Sequence, residues 1–194
     1  MDKQERLTEL YREYMKDFKG EEIVTGCGNA NSKLIFVGEA PGRDEVRLSK
    51  PFVGIAGKNL NELLEVLGLE REAIYITNAI KYRLSKINPQ SGRVVNRPAT
   101  REEINMNRKY LLNEINIIDP WYVVTLGNVP LRSITGDGSI TVGSAHGVLE
   151  KLIISGREYS LFPLYHPASI IYNRNLKDIC MNDTNKLKEI IIAT

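Results

Sequence analysis

Cysteine is scarce in this chain of 194 residues. Cys27 and Cys180 are too few for a disulfide framework and make a reducing, cytoplasmic setting the expectation. Histidine is equally scarce, so any imidazole chemistry is confined to His146 and His166. No apolar run is long enough for a bilayer-spanning helix, and the charged opening Met1-Asp2-Lys3-Gln4-Glu5-Arg6 lacks a signal-peptide pattern; neither membrane insertion nor export is expected. A one-sided charge is missing as well. The 26 Lys+Arg against 24 Asp+Glu leave a formal +2, too little to demand a nucleic-acid partner by itself. Internal repeats and low-complexity tracts are absent, which excludes solenoids and unstructured linkers and leaves residues 1–194 reading as one domain.

What is present is a set of buried-strand patterns that end in polar residues. Leu34-Ile35-Phe36-Val37 is a run of four apolar residues, the pattern of a strand covered on both faces of a parallel sheet. It breaks into Gly38-Glu39-Ala40-Pro41-Gly42-Arg43-Asp44-Glu45, a Gly/Pro turn with three carboxylates, and then into the Gly-rich bend Pro51-Phe52-Val53-Gly54-Ile55-Ala56-Gly57. Two further strands end alike: Ile74-Tyr75-Ile76-Thr77 in Asn78, and Leu161-Phe162-Pro163-Leu164-Tyr165 in His166. Ligands of open α/β sheets bind at strand ends, so Glu39, Asp44, Glu45, Asn78 and His166 are site candidates on one edge. Each, taken alone, is equally an ordinary solvated turn residue.

Helical periodicity fills the intervals. Leu7, Leu10, Tyr11 and Tyr14 predict a helix over about 3–18, to which no chemistry is assigned. Leu60, Leu63, Leu64 and Leu67 make an i, i+3, i+4, i+7 face that Gly68 stops, completing a βαβ unit with the strand near 73–77. Gly26-Cys27-Gly28-Asn29 reads as a turn. Thr100-Arg101-Glu102-Glu103 is a capping box opening the next helix. Tyr122–Leu126 is another buried strand before Gly127, Ser139–Gly147 reads as a loop holding His146 at the surface, and Ser155-Gly156 as a hairpin turn; a last helix is expected near 177–192. The stretch 81–101 reads as one long loop with Lys81, Arg83, Lys86, Arg93, Arg97 and Arg101 and no acid, a pattern suited to phosphate contact.

Taken together, GEAPG-x-x-E, PFVG-x-AG, ITN and HPAS, in this order from about Gly26 to Ile171, resemble the family 4 uracil-DNA glycosylases. The resemblance implies a three-layer α/β/α fold with a central, mainly parallel sheet, and hydrolysis of the N-glycosidic bond of uracil in DNA during base-excision repair. It implies that His166 donates to the uracil O2 as the base leaves, with Glu39 positioning water or stabilising the sugar cation. It implies that Phe52 stacks on the base, Asn78 reads its polar edge, and Glu45 lies against C5 and disfavours thymine. Gly38 and Ala40 line the substrate site, and Ala40 stands where better-known members of the superfamily carry an aspartate. Ile170 or Ile171 fills the gap left by the flipped nucleotide, while Arg83 and Arg93 grip DNA. The partner is uracil-containing DNA, met by a monomer.

The chain departs from that family in two respects. Family 4 members usually hold a four-iron, four-sulfur cluster on cysteines, yet Tyr82 and Asn107 stand at two ligand places and no cysteine precedes Cys27. No cofactor is therefore expected. Val46 and Ser49 also replace the usual aspartate and glycine. Two competing readings follow: a glycosylase for another deaminated base such as hypoxanthine, and a weakly catalytic DNA- or nucleotide-binding module of the same fold.

Overall fold

The computed structural model describes residues 1–169, 173 and 175–193. Six strands form one sheet: β1 (Cys27–Gly28), β2 (Leu34–Gly38), β3 (Tyr75–Asn78), β6 (Tyr122–Leu126), β7 (Glu150–Ile154) and β8 (Arg157–Leu164). Their spatial order is β1-β3-β2-β6-β8-β7. The four central strands β3, β2, β6 and β8 run parallel, and β1 and β7 close the edges antiparallel.

Alternation along the central strands builds two cores. Ile35 and Val37 of β2 point into a cluster with Leu7, Tyr14, Leu111 and Ile115. Leu34 and Phe36 point to the opposite face, among Leu60, Leu64 and Leu187. On the first face lie α1 (Lys3–Asp17), α4 (Arg101–Ile118) and α5 (Asn128–Thr135), with α1 packed on α4 and α4 on α5. On the second, α3 (Ile55–Leu67) packs on α7 (Leu176–Ile192). This is the expected three-layer α/β/α arrangement, and it follows from strands apolar on both sides. Among the described residues no helix is long and apolar enough to cross a membrane.

Four local expectations are corrected. Cys27–Gly28 is not merely a turn but the two-residue β1, paired with Tyr75 and Ile76. The turn after Gly42 contains a short helix, α2 (Arg43–Leu48), whose Glu45 reaches back to the Gly42 N–H as a cap; none of its residues is buried, so no apolar face announces it. Residues 81–101 are not a structureless loop, because β4 (Ser85–Ile87) and β5 (Val94–Asn96) pair as a hairpin. Ser139–Gly147 includes one helical turn, α6 (Val142–Ala145).

The expected punctuation is otherwise in place. Gly68 adopts the left-handed conformation that stops α3. Thr100 and Glu103 exchange both bonds of a capping box. Ser155 and Gly156 form the β7–β8 turn, both at positive φ.

Candidate active site

The parallel strands end together at one edge of the sheet, and their last residues frame a cleft of about 610 Å³ lined by Glu45, Phe52, Asn78, Arg83, Asn96 and His166, among others. A smaller cavity of about 350 Å³ adjoins it, lined by Glu39, Ala99, Gly127 and again His166. His166 thus faces both spaces, with Asn78 on one side and Glu39 on the other.

His166 follows β8, and its Nδ1 accepts the Ala168 N–H at 3.1 Å. A ring nitrogen that accepts a backbone N–H carries no proton of its own, so the neutral ring bears its proton on Nε2. Burial holds the imidazole neutral, lowering its pKa from 6.5 to about 4 against the opposing pull of Glu45. The result is a fixed, uncharged donor. Gly127 lies beneath it, where an added Cβ would come within 3.2 Å of the His166 Cβ.

Glu39 extends from the end of β2. One carboxylate oxygen accepts the Ala99 N–H at 3.2 Å, and burial raises its pKa above the usual carboxylate range more than this bond lowers it. A half-buried carboxylate of raised basicity is suited to take a proton from water.

Asn78 ends β3, 3% exposed, and it packs against Gly38, where any Cβ would fall 2.4 Å from the carboxamide Oδ1 and 2.5 Å from the Phe52 ring. Gly38 is therefore a contact surface that no other residue can supply. Among the described residues, no hydrogen bond reaches the Asn78 carboxamide, which lines the cleft. Phe52 sits in the left-handed region at φ 53°, a strained position for an aromatic residue. Its ring lies 6.0 Å from that of His166, nearly parallel at 29°. Gly57 makes this bend possible, since a Cβ there would meet the Phe52 carbonyl oxygen at 2.0 Å.

Glu45 joins the two loops of the cleft. One oxygen accepts the Gly42 N–H at 3.1 Å; the other accepts those of Val53 at 3.2 Å and Gly54 at 2.9 Å. Ala40 and Asp44 also line the cleft, and the half-buried Asp44 pairs with its neighbours Arg43 at 3.5 Å and Arg47 at 3.6 Å. Ile170 and Ile171 lie outside the described residues.

The cations of 81–101 do not act as a set. Lys81 is fully buried against Glu114 at 2.6 Å, and Arg97 forks onto Glu103 at 2.6 and 2.9 Å. Both are taken up internally and drop out of the basic stretch whose pattern suited phosphate contact. Arg83 bonds Asn96 at 3.1 Å on the cleft wall, and Arg93 stands exposed on the hairpin. His146 is also corrected: its Nδ1 meets the buried Asp183 at 2.6 Å, tying the loop before β7 to α7.

The sequence reading missed the hairpin wall, Val94 and Asn96 included. Its signal lay in Asn88-Pro89-Gln90-Ser91-Gly92, where the Asn88 side chain accepts the N–H groups of Gln90 and Ser91 and Gly92 takes positive φ.

Tyr82 and Asn107, at the places where the family resemblance implies two cluster ligands, do lie together. The Asn107 Nδ2 donates to the Tyr82 hydroxyl at 3.4 Å, the Tyr14 hydroxyl donates to Asn107 Oδ1, and Phe18 packs 4.4 Å from Tyr14 and 5.2 Å from Tyr82. An iron–sulfur cluster needs thiolates, and this buried set of phenols, phenyl and amide does not fit one. Among the described residues there is no group of three His, Cys, Asp or Glu side chains placed to hold a metal.

Comparison with known proteins agrees with the geometry. The family model of the uracil DNA glycosylase superfamily matches residues 25–190. The type-4 uracil-DNA glycosylase of Sulfurisphaera tokodaii is 37% identical over 88% of this chain and 75% of its own length. That of Archaeoglobus fulgidus is 34% identical over 96% and 94%, and that of Saccharolobus solfataricus 36% over 88% and 77%.

Proposed function

The chain belongs to the uracil DNA glycosylase superfamily and is a uracil-DNA glycosylase, a hydrolase of the N-glycosidic bond; from that premise we propose how its cleft performs the reaction. The deoxyuridine flips out of the duplex, and its base enters the larger cavity against Phe52 and Asn78. The carboxamide of Asn78 pairs with the donor and acceptor on the uracil edge. Glu45 holds the loops of the cleft and meets the C5 edge, where a thymine methyl group would intrude. Gly38 and Ala40 complete the wall.

As the C1′–N1 bond lengthens, its electron pair passes to uracil. The Nε2–H of His166 donates to the O2 of the departing anion, the logic of an oxyanion hole. On the other side, Glu39 stabilises the oxocarbenium-like sugar and holds a water. That water forms the new bond to C1′ and gives up its proton to the raised-pKa carboxylate. The observation that carries this reading is that the neutral His166 lines both the cavity of Asn78 and that of Glu39.

DNA is held by phosphate contacts from Arg83 and Arg93, and Ile170 or Ile171 fills the vacated stack. The 194 residues work as one unit, a monomer, and two free thiols suit a reducing cytoplasm. No cluster takes part: the purified protein is expected to carry no iron–sulfur cofactor, and stoichiometric iron and sulfide in anaerobic preparations would sink that expectation. The function is tested by free-base release from oligonucleotides with uracil, hypoxanthine or a thymine mismatch. Uracil is expected to be released far faster than the others. Preference for hypoxanthine would reassign the substrate, and binding without release would leave only a DNA-binding module.

A further inference from the structure

Behind the cleft lies a second set of ionisable side chains that this reaction does not use. Lys81 and Glu114 are both fully buried, with Nζ and Oε2 2.6 Å apart. The carboxylate is saturated on its far side: the Tyr11 hydroxyl donates to Oε1, Tyr75 does so at 3.3 Å, and Thr77 donates to Oε2 at 3.2 Å. The ammonium points the other way. Its Nζ donates to the main-chain carbonyl of Asn78 at 3.0 Å and to Thr77 Oγ1 at 3.3 Å.

The turn that carries Lys81 is itself pinned. The Lys81 N–H donates to the Tyr14 hydroxyl at 3.0 Å, and its carbonyl accepts the Val24 N–H at 2.7 Å. Between Asn78 and Lys81, Ala79 and Ile80 donate to the carbonyls of Gly38 and Glu39 at 2.8 and 2.9 Å. A buried ion pair is no better for stability than well-packed apolar side chains. What the ammonium does here that an apolar side chain cannot is bind the Asn78 peptide.

We propose that Lys81, oriented by Glu114, is a positioning residue for the base-reading amide: it clamps the last peptide of β3 and thereby sets where the Asn78 carboxamide meets the base. The inference rests on the reading of Asn78 given above. It also accounts for the cost of burying two charges directly behind the strand end that carries Asn78.

The test is a mutant cycle in single-turnover uracil release with the full chain. Lys81→Met/Glu114→Leu is expected to fold, since apolar replacement of a buried ion pair is often neutral or stabilising. Lys81→Met/Glu114→Gln, which keeps an acceptor for Tyr11, takes its place if the first shows no cooperative melt. The folded double variant should release uracil roughly 10–100-fold more slowly, at unchanged affinity for the oligonucleotide, as expected for a misplaced reading group. In an Asn78→Ala background the same replacement should cost less than about twofold, because nothing is left to position. Equal losses in both backgrounds, or no loss with Asn78 present, overturn the inference. Failure of both pairs to fold overturns it too, making the network a stability element. Asn78→Ala cleaving at the wild-type rate would instead overturn the reading of Asn78, and the inference with it.

Discussion

Two polar regions meet at the end of β3, three residues apart in sequence, and they are built on opposite terms. In the network of Lys81, Glu114, Tyr11, Tyr75 and Thr77, each side chain is hydrogen-bonded or paired to another, and burial drives the Tyr11 and Tyr75 phenols far above their usual pKa. In the cleft, among the described residues, Asn78 has an unbonded carboxamide, His166 a free Nε2–H and Glu39 an unused oxygen. The first region has spent its hydrogen-bonding capacity on the fold; the second keeps it in reserve at strand ends, where the architecture leaves room for a ligand. Polar groups that are satisfied internally hold the site in place, and polar groups held rigid but unsatisfied are the ones left to meet a substrate.

That contrast can be broken from either side. Lys81→Met alone should have the largest effect, about 3–5 kcal/mol of lost stability, because Glu114 stays buried without its partner. Denaturant unfolding would read it, and an unchanged midpoint would show that the closed network is not closed. His166→Ala should do the reverse: melting is little affected, while single-turnover release falls roughly 10²–10³-fold, about 3–4 kcal/mol. DNA affinity should hold, since it comes mainly from phosphates. A folded His166→Ala protein cleaving at the wild-type rate would remove His166 from the mechanism.

The pH response sharpens the comparison further. With a folded pKa of about 4 against an ordinary 6.5, His166 is neutral in the native protein while its unfolded counterpart takes a proton. Stability should therefore rise with pH across that window, and His166→Ala should flatten the rise. Glu39 has the opposite sign. Its raised pKa means that the native state binds the proton more tightly, so its contribution fades as pH rises through the raised value. For activity, protonation of Glu39 as pH falls removes the group that takes the proton from water, so an acid limb of the cleavage rate should vanish from the residual activity of Glu39→Gln. A limb that persists unchanged would assign it elsewhere.

The smallest effect concerns the rim. Replacing Arg83 and Arg93 together should weaken binding to all sequences alike and reduce the salt dependence by about one unit of slope per lost contact. An unaltered slope would return the hairpin to plain scaffolding.

How much of this could be read beforehand differs by region for physical reasons. The ends of β2, β3 and β8 were legible because strands covered on both faces announce themselves as apolar runs, and the polar residue that ends each one stands out. The hairpin of β4 and β5 was not, since its strands are three residues long and mostly exposed, with no apolar alternation to count. Charge misled for a different reason. Lys81 and Arg97 contribute to a basic stretch in sequence, but Glu114 and Glu103 neutralise them in space, and only folding pairs Lys81 with a carboxylate thirty-three positions away. Tyr11 and Tyr14 fell on a correctly placed apolar stripe, yet a stripe shows which face is buried and not that two hydroxyls on it will find Glu114 and Asn107.

The docking of α1 carries a consequence for how the chain is made. Its anchors on α4 come late: Lys3 donates to the Ile118 carbonyl at 2.6 Å, Tyr11 to Glu114 and Tyr14 to Asn107. On a ribosome adding about 5–20 residues per second, roughly 5–20 s pass between the emergence of α1 and that of its partners. During that interval Leu7, Leu10, Tyr11 and Tyr14 lack the α4 face that completes their cover, and α1 waits as a partly exposed amphipathic helix. Protease protection of α1 in stalled nascent chains should therefore become complete only once residue 118 has cleared the exit tunnel.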